Sequence, residues 1–185
     1  MEKKYAIAFH PSEEIIEKVK QIKLDLASKI GWYNSKNSLA HITISKFKLH
    51  STKIELVSNE LGKICKHIQP VDVILSKFSS YPNGTFYLCP NDLSSLALKK
   101  LMKQINTSLS IKLSYKSTNP HLSIARKLET EKLETAIRSF SCVDLNFLCD
   151  TVIIRELDLE KGQYKIVKQF KLEGQTPINQ QGVLF

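Results

Sequence analysis

Two short apolar segments of this chain each carry a histidine and a hydroxyl two residues apart. Leu39 to Phe47 holds His41 and Thr43, and Asn119 to Lys127 holds His121 and Ser123. In a β-strand, side chains at i and i+2 share a face. Each pair therefore projects an imidazole beside a hydroxyl, while Ile42, Ile44, Leu122 and Ile124 turn toward a core. An imidazole can give or take a proton near neutral pH, and a hydroxyl can donate to a non-bridging phosphate oxygen. Two such pairs facing one another could hold a phosphate and move protons on either side of it.

The bare string does not separate these pairs from the rest, because four of the five histidines have Ser or Thr two places on. Local context does. Pro11 follows His10 and cannot continue a strand ladder, and Ser12-Glu13-Glu14 reads as a helix N-cap with acidic residues at the positive end of the dipole. Thr52 with Glu55 reads as a capping box, which makes His50 a turn residue before a helix. Only His41 and His121 lie inside apolar alternations.

The surrounding elements repeat. Strands are expected over Tyr5 to Phe9, Ala40 to Leu49 and Val71 to Phe78, with helices over Ser12 to Ile30 and Thr52 to Ile68. After the turn Tyr81-Pro82-Asn83-Gly84 the pattern restarts: strand Thr85 to Cys89, helix Asn91 to Leu109, strand Pro120 to Leu128 and helix Glu129 to Phe140. Strands within Val143 to Leu159 and Tyr164 to Leu172 follow, joined by the turn Glu160-Lys161-Gly162-Gln163. His121 lies 80 positions after His41, and Asn91 lies 79 after Ser12. This common framing predicts an α+β fold of two pseudo-symmetric lobes. Each lobe is an antiparallel-type sheet with helices on its outer face, and the two histidine strands face a central cleft. Residues 1–173 are read as one bilobal domain with repeat halves of about 1–80 and 81–173, and 174–185 as a C-terminal tail.

Composition bounds the function. The 185 residues are 42% hydrophobic with six Gly and six Pro, enough for a substantial core and unlike a disordered chain. The net charge of +9, from 27 Lys and Arg against 18 Asp and Glu, favours a polyanionic partner such as nucleic acid or a nucleotide. The four cysteines show no C-x-x-C spacing, and Cys65-Lys66-His67 lacks a second half for a metal site, so no metal and no cofactor are expected. The run Tyr5 to Phe9 is too short for a signal peptide or a membrane span, which points to a cytoplasmic, reduced location without membrane association. A monomer is expected.

Taken together, the motifs resemble those of the two-histidine (2H) phosphoesterase superfamily, which includes bacterial 2′,5′ RNA ligase and RNA 2′,3′-cyclic phosphodiesterases. The first family motif, H-x-T followed by an apolar residue and an aromatic four positions after the Thr, matches His41, Thr43, Ile44 and Phe47. The second matches His121, Ser123 and Ile124, with Ser123 for the commoner Thr and Lys127 in the place of Phe47. The resemblance implies a metal-independent enzyme in which one histidine activates water and the other protonates the leaving ribose oxygen, while Thr43 and Ser123 hold non-bridging oxygens. It leaves open which histidine does which, and whether the natural reaction is hydrolysis or 2′,5′ ligation. RNA ends and nucleotide cyclic phosphates are the implied ligands. An RNA-binding module of the same fold with little or no turnover is the alternative.

Further contacts are expected around these pairs. Phe47 would wall the substrate, and Trp32 could stack on a base. Lys46 and Arg126, each three residues after the hydroxyl, could supply phosphate charge. Strand parity turns them to the other face unless a bulge intervenes. The ending Gln181-Gly182-Val183-Leu184-Phe185 loosely resembles peptides that dock on bacterial sliding clamps, so a weak clamp contact through the tail is a further possible partner interaction.

Overall fold

The first strand, β1 (Glu2–Phe9), becomes fully buried from Tyr5 onward, and the chain then turns at Pro11 into α1 (Glu13–Ile30). Glu13 and Glu14 occupy the first turn of α1, where the dipole favours acidic groups, although the Ser12 side chain makes no cap bond. A computed structural model of the chain describes residues 1–176. Beyond α1 the order is β2 (Ile42–His50), α2 (Ile54–Lys66), β3 (Val71–Tyr81), β4 (Thr85–Pro90), α3 (Asp92–Ser108) and β5 (Leu113–Lys116). Then come β6 (Leu122–Ala125), α4 (Thr130–Ser139), β7 (Leu145–Cys149), β8 (Thr151–Asp158) and β9 (Gln163–Lys171).

Two local expectations are corrected. The capping box at Thr52 does not form: Ser51–Lys53 is a 3₁₀ turn, α2 begins at Ile54, and His50 is the last residue of β2. Thr52 Oγ1 is engaged with His50 Nδ1 at 2.8 Å, which takes the hydroxyl away from the helix end. The stretch after α3, to which the sequence pattern gives no element, contains the short strand β5, which pairs with β2 through Ser45↔Lys116 and Lys46↔Tyr115. The cap of α3 is as expected, with Asn91 Oδ1 accepting from Ser94 N at 2.9 Å.

Among the described residues, nine antiparallel strands form one sheet in the order β7-β3-β4-β6-β2-β1-β8-β9, with β5 beside β2. The two histidine strands are its central pair, joined through Ile42↔Leu122. Each side of this seam has the same order outward, and each takes strands from both halves of the sequence. β3 joins β4 and β6, whereas β8 and β9 join β1 and β2. The four helices cover the apolar side of the sheet: α1 packs on β6 and against α4, α2 on β9, and α3 on β3 and β4. Ile42, Ile44, Leu122 and Ile124 are wholly buried in the resulting core. The β3–β4 turn docks on the end of the second histidine strand. There Gly84, at φ +78, lies so close to the Leu128 backbone that any Cβ would overlap it.

Candidate active site

The seam brings the four predicted side chains together. Ile42 pairs with Leu122 and both face the core, so continuing the antiparallel register by one residue sets His41 across from Ser123 and Thr43 across from His121 on the opposite face. His41 and His121 are then diagonal neighbours, with backbones roughly 7–8 Å apart, which leaves space for a tetrahedral phosphate between the imidazoles.

Both rings are oriented by the same device. Nδ1 of His41 donates to the carbonyl of Leu39 at 2.7 Å, and Nδ1 of His121 donates to the carbonyl of Asn119 at 2.8 Å. In each case the acceptor is two residues upstream, so the proton is held on Nδ1 and Nε2 is left with its lone pair for chemistry. Sequence alone carried no sign of this, because the acceptor is a backbone carbonyl whose direction depends on the loop entering each strand.

A matched pair of β-bulges shapes the rest of the site. The β1–β2 register passes from Ile7↔Ser45 to Ala8↔Thr43, leaving Ile44 as an extra residue. The β4–β6 register passes from Phe86↔Ala125 to Tyr87↔Ser123, leaving Ile124 extra in the same way. Each bulge reverses side-chain parity. Ser45 and Ala125 accordingly turn into the core, and Lys46 and Arg126 come back to the histidine face, where both line the cleft. Arg126 Nε donates to Ser123 Oγ at 3.4 Å, and Lys46 lies over the Tyr115 ring at 5.4 Å.

The same parity change removes Phe47 from the site. Phe47 is 1% exposed and stacks on Tyr5 at 5.3 Å, so the expected aromatic wall is a core contact instead. Trp32 is exposed and lines the cleft. Its neighbour Tyr33 is buried, its hydroxyl donating to the Lys23 carbonyl.

The cleft has a volume of about 500 Å³ and is lined by His41, Thr43, Lys46, Arg126, Lys127 and Arg155, with Trp32, Lys161 and Tyr164 toward its mouth. His121 and Ser123 are not among its lining residues, and Ser123 is tied to it by the bond from Arg126. Arg155 is a functional candidate that belongs to neither motif. It comes from β8, far from either motif in sequence, and is 3% exposed. Its Nη1 lies 2.8 Å from Nδ1 and 2.9 Å from Nε2 of His41, and Nη2 donates to the Tyr164 carbonyl. A group equidistant from both ring nitrogens in the ring plane would overlap Cε1, so this guanidinium lies against the ring face.

The register makes Tyr81 the counterpart of Arg155 in the second lobe. Arg155 pairs with Ala6, the residue before Ile7, and Tyr81 pairs with Thr85, the residue before Phe86. Tyr81 packs edge-on against His121 at 5.5 Å, and Tyr87 lies tilted at 5.0 Å from it. The site is thus asymmetric where the fold is symmetric. Burial and then the Arg155 cation push the pKa of His41 well below the ordinary 6.5, against the opposing Leu39 bond. His121 is lowered by burial, with Arg126 adding to the effect and the Asn119 bond opposing it.

Among the described residues, no group of three or more His, Cys, Asp or Glu side chains is arranged to hold a metal ion, and no helix is long and apolar enough to cross a membrane. The clamp-like ending Gln181 to Phe185 lies outside the described residues.

Residues 11–160 match the family model of the 2′-5′ RNA ligase superfamily. No curated protein matches the chain significantly. Among solved structures, E. coli LigT complexed with NADP⁺ is similar with a TM-score of 0.66 at 13% identity, over 94% of this chain and 99% of that one. LigT complexed with 3′-AMP gives 0.65 at 11%, over 92% and 98%. The Thermus thermophilus protein TT0787 gives 0.63 at 15%, over 94% and 100%. At these identities the likeness is one of fold.

Proposed function

The chain belongs to the 2′-5′ RNA ligase superfamily of two-histidine phosphoesterases, and on that premise we propose that it opens 2′,3′-cyclic phosphates on RNA ends or nucleotides without a metal, or runs the reverse 2′,5′ ligation. The observation that carries this reading is the Ile42↔Leu122 pairing, whose register puts the two imidazoles and the two hydroxyls on one face of the sheet. LigT has been solved with 3′-AMP and with NADP⁺, ligands of the same chemical class as the proposed substrate.

In the hydrolytic direction His41 is the general base. The Arg155 guanidinium lies against the His41 ring whereas Tyr81 and Tyr87 flank His121, so the arrangement with His41 neutral and His121 protonated outweighs the reverse. His41 Nε2 takes a proton from water as the water oxygen attacks phosphorus. The bond from phosphorus to the leaving ribose oxygen breaks, and His121 Nε2 gives that oxygen its proton. Thr43 and Ser123 donate to the non-bridging oxygens, while Arg126 and Lys46 offset the charge that builds on them. In ligation the two histidines exchange roles. Metal-independence follows from this division of labour, and activity should survive exhaustive chelation.

A panel of 2′,3′-cyclic nucleotides and short RNAs with defined ends, scored for product regiochemistry in wild type and His41→Ala, tests the proposal. Opening of a cyclic phosphate that disappears in the variant supports it. Tight binding of the same RNAs without turnover would make the chain a binding module instead.

A further inference from the structure

The cleft holds more positive charge than one phosphodiester requires. Lys46, Arg126, Lys127, Arg155 and Lys161 all line it, and among the described residues no Asp or Glu does. Among the described residues none of the five takes part in an ion pair. Asp158, at the end of β8, accepts from the backbone N–H groups of Glu160 and Lys161 within the β8–β9 turn. Lys46 and Arg126 rise from the motif strands themselves and suffice for the reacting phosphate. The other three line the cleft together with His41, and His121 is not among its lining residues.

Two of those three show features that an ordinary solvated basic face lacks. Arg155 is 3% exposed, and its Nε has no hydrogen-bond partner although it is buried. Lys127 sits at φ 55, the one non-glycine residue with positive φ among the described residues, directly after the second histidine strand. A left-handed backbone at a non-glycine residue is uncommon, and here it falls at a residue that lines the cleft. The opposite side of the site offers no matching charge, since Tyr81 and Tyr87 stack there at 4.4 Å beside His121.

We infer that the His41 side of the cleft contains a second phosphate subsite, formed by Arg155, Lys127 and Lys161, so that the preferred substrate carries another phosphate group next to the reacting cyclic phosphate. The inference rests on the phosphodiesterase reading above. A nucleoside 5′-phosphate and the neighbouring diester of an RNA chain offer the same anionic oxygens, and a plain cyclic mononucleotide offers neither.

Calorimetric titration separates these cases. The probes are adenosine 2′-monophosphate, adenosine 2′,5′-bisphosphate and the dinucleotide ApA ending in a 2′-phosphate, against wild type and a variant with Lys161→Ala and Lys127→Asn. Asparagine is chosen at 127 because it tolerates positive φ. The bisphosphate or the dinucleotide should bind wild type at least about tenfold more tightly than the monophosphate, an increment in the range of one charge-assisted contact. Most of that gain should vanish in the variant. A gain with both ligands means that the subsite accepts either source, and a gain with the dinucleotide alone assigns it to the RNA chain. Equal affinity for all three ligands in wild type, or a gain that the variant keeps in full, overturns the inference. Turnover of adenosine 2′,3′-cyclic phosphate with and without a 5′-phosphate is measured alongside. Tighter binding without any ring opening would refute the enzymatic reading and leave the subsite standing.

Discussion

His41 and His121 carry the reaction only as a unit, since one takes the proton that starts the step and the other gives the proton that ends it. Alanine at either position should lower kcat by about 10²- to 10⁴-fold, with the double variant little worse than either single one. Thr43→Ala and Ser123→Ala should cost about ten- to a thousandfold. Because both imidazoles are held below 6.5, kcat/KM should peak on the acidic side of that value. The acidic limb belongs to the base and the alkaline limb to the acid, as properties of the coupled pair. Arg155→Met removes the cation that disfavours the His41 imidazolium, so the acidic limb should move to higher pH while the alkaline limb moves little. A bound phosphate has the opposite charge and raises both pKa values, so the kcat profile should lie at higher pH than that of kcat/KM. A profile flat from about pH 5 to 9 with chemistry rate-limiting would exclude paired imidazole catalysis.

At the level of elements, the loop between α1 and β2 sets the His41 ring through Leu39 and forms one wall of the cleft. Lys23 holds this loop from beneath. It occupies a position in the buried stripe of α1, between Val19 and Leu26, where apolar residues are the rule. Its Nζ donates to the carbonyls of Ser35 and Ser38 and to Ser38 Oγ, at 3.3, 2.6 and 3.0 Å. The corresponding place on α3, counting from the two caps, is the buried Met102. A lysine in a core stripe is a local break in pattern of the sort expected where a fold serves a site. Burial lowers the pKa of Lys23 to about 8, with Arg126 and Arg155 contributing. Between pH 8 and its ordinary 10.5 the unfolded chain keeps the proton that the folded chain has released, so this group makes stability rise with pH across that window. Lys23→Met should remove this rise, read as the difference in Tm between wild type and variant from pH 8 to 10.5. It should also lower kcat, because the loop that orients His41 loses its three bonds. An unchanged Tm difference and an unchanged kcat would deny Lys23 this role.

The whole molecule is two copies of one arrangement that share strands and differ in chemistry. Its shared bulges at Ile44 and Ile124 show how closely the backbones correspond, and the exchange of Arg155 for Tyr81 shows where they part. That exchange gives the site a direction, with a cationic side at His41 and an aromatic side at His121. The fold also places three histidines in surroundings that resist protonation, since His10 is lowered by burial as well, with Glu13 opposing. Below pH 6.5 the unfolded chain binds protons at these histidines that the folded chain refuses, so their contribution is full above 6.5 and is lost as pH falls toward the folded values. Denaturant titrations should therefore show stability declining from about pH 6.5 downward, ahead of the carboxylate range. A stability constant from about pH 6.5 to 5 would contradict the buried, neutral state of all three.

Much of this site was legible from the chain itself, because strand periodicity and hydrophobic patterning are local properties. His41, Thr43, His121 and Ser123 stood out as two pairs on apolar strands, and their common framing pointed to the two-lobed α+β fold. The tertiary structure decided what depends on neighbours distant in sequence. Parity places Lys46, Arg126 and Phe47 only once the bulges opposite β1 and β4 are known, which is why Lys46 and Arg126 turn inward to the cleft and Phe47 to the core. Arg155 has no motif of its own and gains its place solely from pairing with Ala6 beside the first histidine strand. Strand exchange between the lobes was likewise invisible, because a repeat in sequence records which elements recur and not which sheet each of them joins.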